Sequence, residues 1–185
     1  NMKGALSGRD FNNGGNGSID NWDTSSVTNM ESMFGQSFNQ DLNSWDVSNV
    51  TTMEMMFMNS HAFNGNISSW DVSSVTNMQA MFDSARTFNR NIGSWDTSSV
   101  TNMRSMFANA FAFNQNIGGW DVSNVTDMLE MFKVARAFNN GGNSSIGNWN
   151  VSNVTTMFKL FSSAEAFNQD LTGWCVTNIN TFQKR

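Results

Sequence analysis

The residue that follows each repeated tryptophan is acidic in most copies and could bind cations. Five copies carry a carboxylate, and the last two carry Asn150 and Cys175. The five are Asp23, Asp46, Asp71, Asp96 and Asp121. On neighbouring strands of one sheet they would stand about 4.8 Å apart. A row of that spacing is expected to raise some of the carboxylate pKa values or to recruit cations.

The same aspartates also have a structural explanation. Each lies two residues before a serine, as in Asp46-Val47-Ser48. An Asp side chain in this setting accepts hydrogen bonds from backbone N–H groups two or three residues further on. The Asp-x-Ser spacing favours this local bonding, and a metal-binding row is the alternative.

Few residues could carry catalysis. His61 is the only histidine, so neither a Ser–His pair nor a His-based metal site can recur along the chain. Cys175 is the only cysteine, which excludes an intrachain disulfide framework. The sequence therefore predicts a protein that is not an enzyme and uses no cofactor.

The aspartates belong to a tandem repeat of the form W-D-[VT]-S-[SN]-V-T-[ND]-M-x-x-M-F. The intervals between its tryptophans are 23, 25, 25, 25, 29 and 25 residues. These tryptophans are Trp22, Trp45, Trp70, Trp95, Trp120, Trp149 and Trp174. A fixed period of this length is typical of a solenoid, in which each unit buries its apolar residues against its neighbours.

One unit, from Phe63 to Thr87, contains two apolar patterns. Residues 67–75 have the spacing of a leucine-rich-repeat strand. Residues 76–85 place Met, Phe and Ala at helical spacing, with Thr76 as N-cap and Gln79 completing a capping box. We therefore predict an α/β repeat: a right-handed solenoid with one short parallel strand and one short helix or 3₁₀ turn per unit. A Phe-Asn pair closes each unit, and its asparagines are expected to form a ladder.

The repeats fill the whole sequence. We predict a single solenoid domain over residues 1–185, with about seven repeats, incomplete at both ends and part of a longer array. Two Asn-Gly-Gly-Asn insertions, at 13–16 and 140–143, are expected to bulge outward. Asn16 and Asn143 lie in these insertions within N-x-[ST] sequences, which makes them candidates for glycosylation.

Charge and hydropathy exclude two classes of partner. The net charge is −5 and only 14% of residues are charged, so a basic face for nucleic acid or anionic lipid is not expected. No apolar run is long enough to span a membrane.

The repeat resembles the surface-protein 26-residue repeat family, also described as BspA-like leucine-rich repeats. Its units read F-N-x-x-[LI]-x-x-W-D-V-S-x-V-T-x-M-x-x-M-F. The resemblance implies a secreted or surface-anchored protein that adheres to a protein or glycan. Self-association as a building block of a filament or surface assembly is the alternative, followed by an ice-binding solenoid.

Within the predicted helix, two adjacent positions differ from repeat to repeat. Met55, Leu129 and Phe158 are apolar there and are candidate partner contacts. Drift at exposed sites would produce the same variation.

Overall fold

Backbone hydrogen bonds join residues that lie one repeat apart. The structure, a computed structural model, describes residues 1–7 and 19–179. The N–H of Thr76 donates to the carbonyl of Thr51 at 2.9 Å, and that of Thr101 donates to Thr76 at 2.9 Å. The chain thus runs in successive coils that stack in parallel, each coil being one repeat.

The closest backbone pairing lies in the segment that follows these threonines. Parallel bridges link one residue of each coil to the next: Asn29, Thr52, Asn77, Asn102, Asp127 and Thr156. Beyond the bridge, the N–H groups of Ala80, Phe82 and Ser84 donate to carbonyls of the following coil at 2.8, 2.9 and 2.8 Å. Only every second residue of this segment donates its backbone N–H to another coil, and all of these N–H groups point toward the following coil. We call this part of each coil the ladder segment, which in this coil is residues 77–84.

The ladder segment is where the sequence predicted a helix, and the structure differs. The described residues contain 3₁₀-helices at Ile19–Asn21, Asn140–Gly142 and Ser144–Asn148, and no α-helix. Residues 78–85 form linked turns instead, in which Met81 N–H donates to Met78 and Ala85 N–H to Phe82. Ala80 and Ser84 have φ of 51° and 61°. This left-handed conformation turns their N–H groups toward the next coil, so the backbone is satisfied between coils rather than within a helix.

The predicted capping box is replaced by two other bonds. The Thr76 hydroxyl donates to the carbonyl of Thr51 at 3.2 Å. Asn77 Oδ1, not the threonine, accepts the N–H of Gln79 at 3.0 Å. The threonine therefore joins coils, and the asparagine shapes the turn.

The predicted strand at 67–75 also differs from the structure. It contains turns, with Trp70 N–H bonded to Ile67 and Val75 N–H bonded to Val72. Contact between coils on this side comes from side chains: Trp70 Nε1 donates to the carbonyl of Leu42 at 2.8 Å. Parallel backbone pairing between coils therefore lies in the ladder segment, and not in the segment predicted as a strand.

The core is built around two columns of stacked phenylalanine rings. Successive rings of the first phenylalanine column have centroids 4.9 to 5.6 Å apart. This column is Phe34, Phe57, Phe82, Phe107, Phe132 and Phe161. In the second column, the Phe-Asn phenylalanines, the spacing is 5.7 to 6.0 Å, and the two rings of each coil lie 3.8 to 4.0 Å apart. Buried methionines pack against these columns.

The asparagine of each Phe-Asn pair forms the expected ladder. Asn64 Oδ1 accepts the N–H of Asn89 at 3.0 Å, and Asn89 Oδ1 accepts the N–H of Asn114 at 3.0 Å. The ladder continues to Asn139 and Asn168. Each amide thereby satisfies a backbone donor of the next coil where no backbone acceptor reaches it.

Ser60 places a polar side chain in this apolar core. Its equivalents are Ala85, Ala110, Ala135 and Ala164, and its side chain is fully buried. Within the described part of the chain its hydroxyl has no hydrogen-bond partner. We expect Ser60→Ala to raise the free energy of unfolding, measured by urea denaturation, by about 1–3 kcal/mol. The exposed Ser74→Ala should change it by less than about 0.5 kcal/mol, and a loss of stability in Ser60→Ala would contradict the prediction.

Candidate functional site

The aspartate row is exposed and bonds locally. Asp46 Oδ1 accepts the backbone N–H of Ser48 at 3.0 Å and its hydroxyl at 2.6 Å. Asp23 and Asp71 hold their serines in the same way. Asp96 and Asp121 accept the N–H groups of their serines at 3.0 and 2.9 Å. One carboxylate oxygen of each residue is therefore used to shape its own turn.

These hydrogen bonds favour the ionised form of the aspartates. The hydroxyl and then the N–H of the paired serine lower the pKa of Asp23, Asp46, Asp96 and Asp121 below the ordinary value. The neighbouring carboxylate raises the pKa of Asp46 and Asp121, but this is the smallest of the causes. In these four carboxylates the pKa is thus lowered and not raised, because hydrogen bonding to the ionised form outweighs repulsion between coils.

The lowered pKa values predict how stability depends on pH. A carboxylate with a lower pKa in the folded chain stabilises the fold above its unfolded pKa, near 4, and this contribution is lost as pH falls through the folded pKa. We expect Tm to be steady at neutral pH and to decline below about pH 4. Replacing Ser48, Ser98 and Ser123 together by alanine should lower Tm at pH 7 and flatten that decline. An unchanged profile would contradict the prediction.

Cation binding by the row stays a prediction. Residues 1–7 and 19–179 include no group of three or more His, Cys, Asp or Glu side chains placed to hold a metal ion. The second oxygen of each aspartate is the atom that a cation would have to use. Melting the chain with calcium and with a chelator tests this: cation binding requires a higher Tm in calcium.

The structure describes one of the two glycosylation candidates. Asn143 is exposed between two 3₁₀-helices, and its Oδ1 accepts the N–H of Ser145 at 2.9 Å. Asn16 lies outside the described residues. Asn143 is thus accessible in the bulge that the sequence predicted.

Sequence reasoning missed the residue that anchors this bulge. Asn140 is fully buried, whereas Gly141, Gly142 and Asn143 are exposed. Asn140 Oδ1 accepts the N–H of Ile117 at 2.8 Å, and its Nδ2 donates to the carbonyl of Asn143 at 2.6 Å. The recurrence of Asn-Asn-Gly-Gly-Asn was the available signal.

The three apolar partner candidates do not form one patch. Leu129 and Phe158 occupy the same position in successive coils and are half-buried. Phe158 lies beneath the ammonium of Lys159, 5.1 Å from its ring centroid. Met55 is half-buried three coils away, in the neighbouring column, where its φ is 55°.

His61 and Cys175, the two residues considered for catalysis, lie in different coils. His61 is half-buried at a corner of its coil. Cys175 is an exposed free thiol with Sγ 3.6 Å from Thr177 Oγ1.

The stacked, equivalent coils define a tandem-repeat protein. The chain belongs to the family described as "Mycoplasma protein of unknown function, DUF285", whose model matches residues 1–96, 65–145 and 142–185. The three overlapping matches fit the repetition of the coil. Comparison with curated proteins and with solved structures finds no match. Among the described residues, no helix has the length and apolar character needed to cross a membrane.

Proposed function

We propose that the chain is a non-enzymatic interaction module that binds protein or glycan over an extended face. In this proposal the coils form a right-handed, BspA-like solenoid outside the cell or at its surface. One observation carries the proposal: outward residues of the ladder segment change from coil to coil on an unchanging backbone and core.

The difference between the constant core and the variable surface is clearest at two adjacent positions of the ladder segment. The first position is a methionine in each coil, fully buried at Met53, Met78 and Met103 and partly buried at Met2 and Met157. The next position is partly or fully exposed and carries five different residue types in six coils. Its residues are Glu31, Glu54, Gln79, Arg104, Leu129 and Phe158. A rigid scaffold with variable exposed positions is how repeat proteins present an extended binding surface.

The coil-to-coil bonds fix these side chains relative to one another. Glu54 accepts hydrogen bonds from Asn77 Nδ2 at 3.0 Å and Gln79 Nε2 at 3.3 Å. Arg104 lies 3.8 Å from Asp127 of the following coil. A preformed surface loses little conformational entropy on binding, which favours affinity. Localisation outside the cell rests on the resemblance of the repeat to surface proteins.

The alternative is a building block of a filament or surface assembly. The ladder segment pairs coils in parallel mainly through backbone groups, so a coil of another copy could pair in the same way. This alternative predicts self-association of the chain.

Light scattering over a concentration series separates the two functions. An interaction module stays monomeric and binds members of an array of glycans and extracellular proteins. Molecular mass that grows with concentration, with no binding on the array, would overturn the module and support the assembly.

A further inference from the structure

One corner of the coil carries an unusual set of side chains. After Ala85, Ala110 and Ala135 the chain turns, with the N–H of the phenylalanine three residues on bonded to the alanine carbonyl at 3.0 to 3.2 Å. The residue directly after each alanine stands at the corner. In successive coils this corner column is His61, Arg86, Phe111, Arg136 and Glu165.

Two arginines of the corner column lie over one ring. The guanidinium carbon of Arg86 is 5.6 Å from the centroid of Phe111, and that of Arg136 is 4.9 Å from it. Arg86 comes from the preceding coil and Arg136 from the following one, so a guanidinium group approaches the ring from each neighbouring coil. They are two coils apart, which is about 10 Å at strand spacing. A guanidinium stacked on an aromatic ring keeps its N–H edges free for an anion.

The corner backbone holds this arrangement in place. The N–H of Ala112 donates to the carbonyl of Arg86 at 3.2 Å, and the N–H of Ala137 donates to that of Phe111 at 3.3 Å. Since each corner is bonded to the next, the two arginines are presented on a fixed platform.

The corner column carries two exposed arginines on an acidic chain. The chain has a net charge of −5. Lys3, Arg104 and Lys133 pair with carboxylates, whereas Arg86, like Arg90 and Lys159, forms no salt bridge among the described residues. Arg136 Nε is 3.7 Å from Glu165 Oε1, and these side chains are 57% and 71% exposed. Such an exposed pair contributes about 0–1 kcal/mol, so an incoming carboxylate can displace it.

We propose that Arg86, Phe111 and Arg136 form a docking surface for an acidic polypeptide, in which carboxylates of the partner bind the two guanidinium groups. The proposal rests on the interaction module above and names the chemistry of its partner. Guanidinium and carboxylate groups match in planar, two-bond geometry. Arginine and aromatic residues are also enriched at the energetic centres of protein interfaces.

The guanidinium groups over the Phe111 ring favour a polypeptide partner over a sugar. A glycan commonly binds by stacking on an exposed aromatic face, whereas Phe111 is half-buried with two guanidinium groups over its ring. The ring instead orients the cations, so the surface selects for carboxylates about 10 Å apart, two coil spacings.

Binding of poly-L-glutamate at low salt, measured by biolayer interferometry on the immobilised chain, tests the proposal. Poly-L-glutamine and dextran sulfate are the comparison probes. We expect the wild type to bind polyglutamate and not polyglutamine. The Arg86→Gln/Arg136→Gln variant should bind at least about tenfold more weakly, equivalent to about 1.4 kcal/mol. Phe111→Ala keeps both charges and should weaken binding several-fold by releasing the guanidinium groups.

Lys3→Gln/Lys133→Gln is the matched control, because it removes the same charge at positions paired with Glu31 and Glu130 and should leave binding unchanged. Equal weakening by both double variants, or no binding of polyglutamate, would overturn the proposal. Tighter binding of dextran sulfate through the same arginines would assign the corner to an acidic polysaccharide instead. If a partner from the array binds the Arg86→Gln/Arg136→Gln variant as tightly as the wild type, the interaction module stands and this surface is overturned.

Discussion

Phe107→Ala is expected to lower the free energy of unfolding by about 3–5 kcal/mol. The Phe107 side chain is fully buried in a central coil. Its ring centroid lies 4.0 Å from that of Phe113 and 5.5 and 5.6 Å from those of Phe82 and Phe132. Alanine leaves a cavity that neighbouring coils cannot fill, because their backbones are tied together through the ladder segment.

The position of Phe107 adds an effect on cooperativity. In a stacked array each coil is stabilised by its two neighbours, so a weak central coil uncouples the two halves. Urea denaturation followed by tryptophan fluorescence should show an earlier and broader transition than in the wild type. Phe111→Ala is the matched control, because this half-buried ring makes surface contacts with arginines and should cost about 1 kcal/mol or less. Equal losses in the two variants would contradict the stacked core.

The repetition of the sequence was enough to predict which residues are buried. Phenylalanine, tryptophan, valine and methionine recur at fixed positions, and such columns are buried in any arrangement that stacks the units. The asparagine ladder and the local bonding of the aspartates followed from side-chain chemistry in the same way. Both features depend on the period and on short-range bonding, which the sequence displays directly.

The backbone path of the ladder segment could not be predicted. Met78, Met81, Phe82 and Ala85 have the spacing of one helical face, and linked turns bring the same residues to the core. The deciding feature is the left-handed conformation of Ala80 and Ser84. Neither residue type favours it, so the sequence holds no signal for it. Only the bonds to the next coil make that conformation favourable.

The candidate docking surface could not be predicted from the sequence for a different reason. Arg86, Phe111 and Arg136 are 25 residues apart in sequence and meet only because the coils are in register. In a linear reading each looks like a variable loop residue. Their equal spacing puts them at one position of the repeat, but contact between them depends on the turn geometry.

Gly65→Ala is expected to destabilise the fold by about 1–3 kcal/mol or more. A Cβ at Gly65 would lie 2.0 Å from the backbone oxygen of Gln40 and 2.9 Å from the ring of Phe63. A comparison of repeats predicts the opposite, since the equivalent residues Gln40, Arg90 and Gln115 all carry side chains. The structure and the repeat pattern therefore disagree at this position, and the measurement decides between them.

The clash cannot be relieved by a small shift, because the backbone on both sides of Gly65 is held. Asn64 N–H donates to Asn39 Oδ1 at 2.8 Å and Asn66 N–H donates to Asp41 Oδ1 at 2.7 Å, both in the preceding coil. Moving Gly65 away from Gln40 would stretch these bonds. Gly119→Ala is the control: nothing lies within 4 Å of its added Cβ, and restricting the unfolded chain should raise stability by about 0.4–1 kcal/mol. A Tm that falls for Gly65→Ala and not for Gly119→Ala confirms the close approach of the coils, and equal Tm values would show that they are further apart at this point.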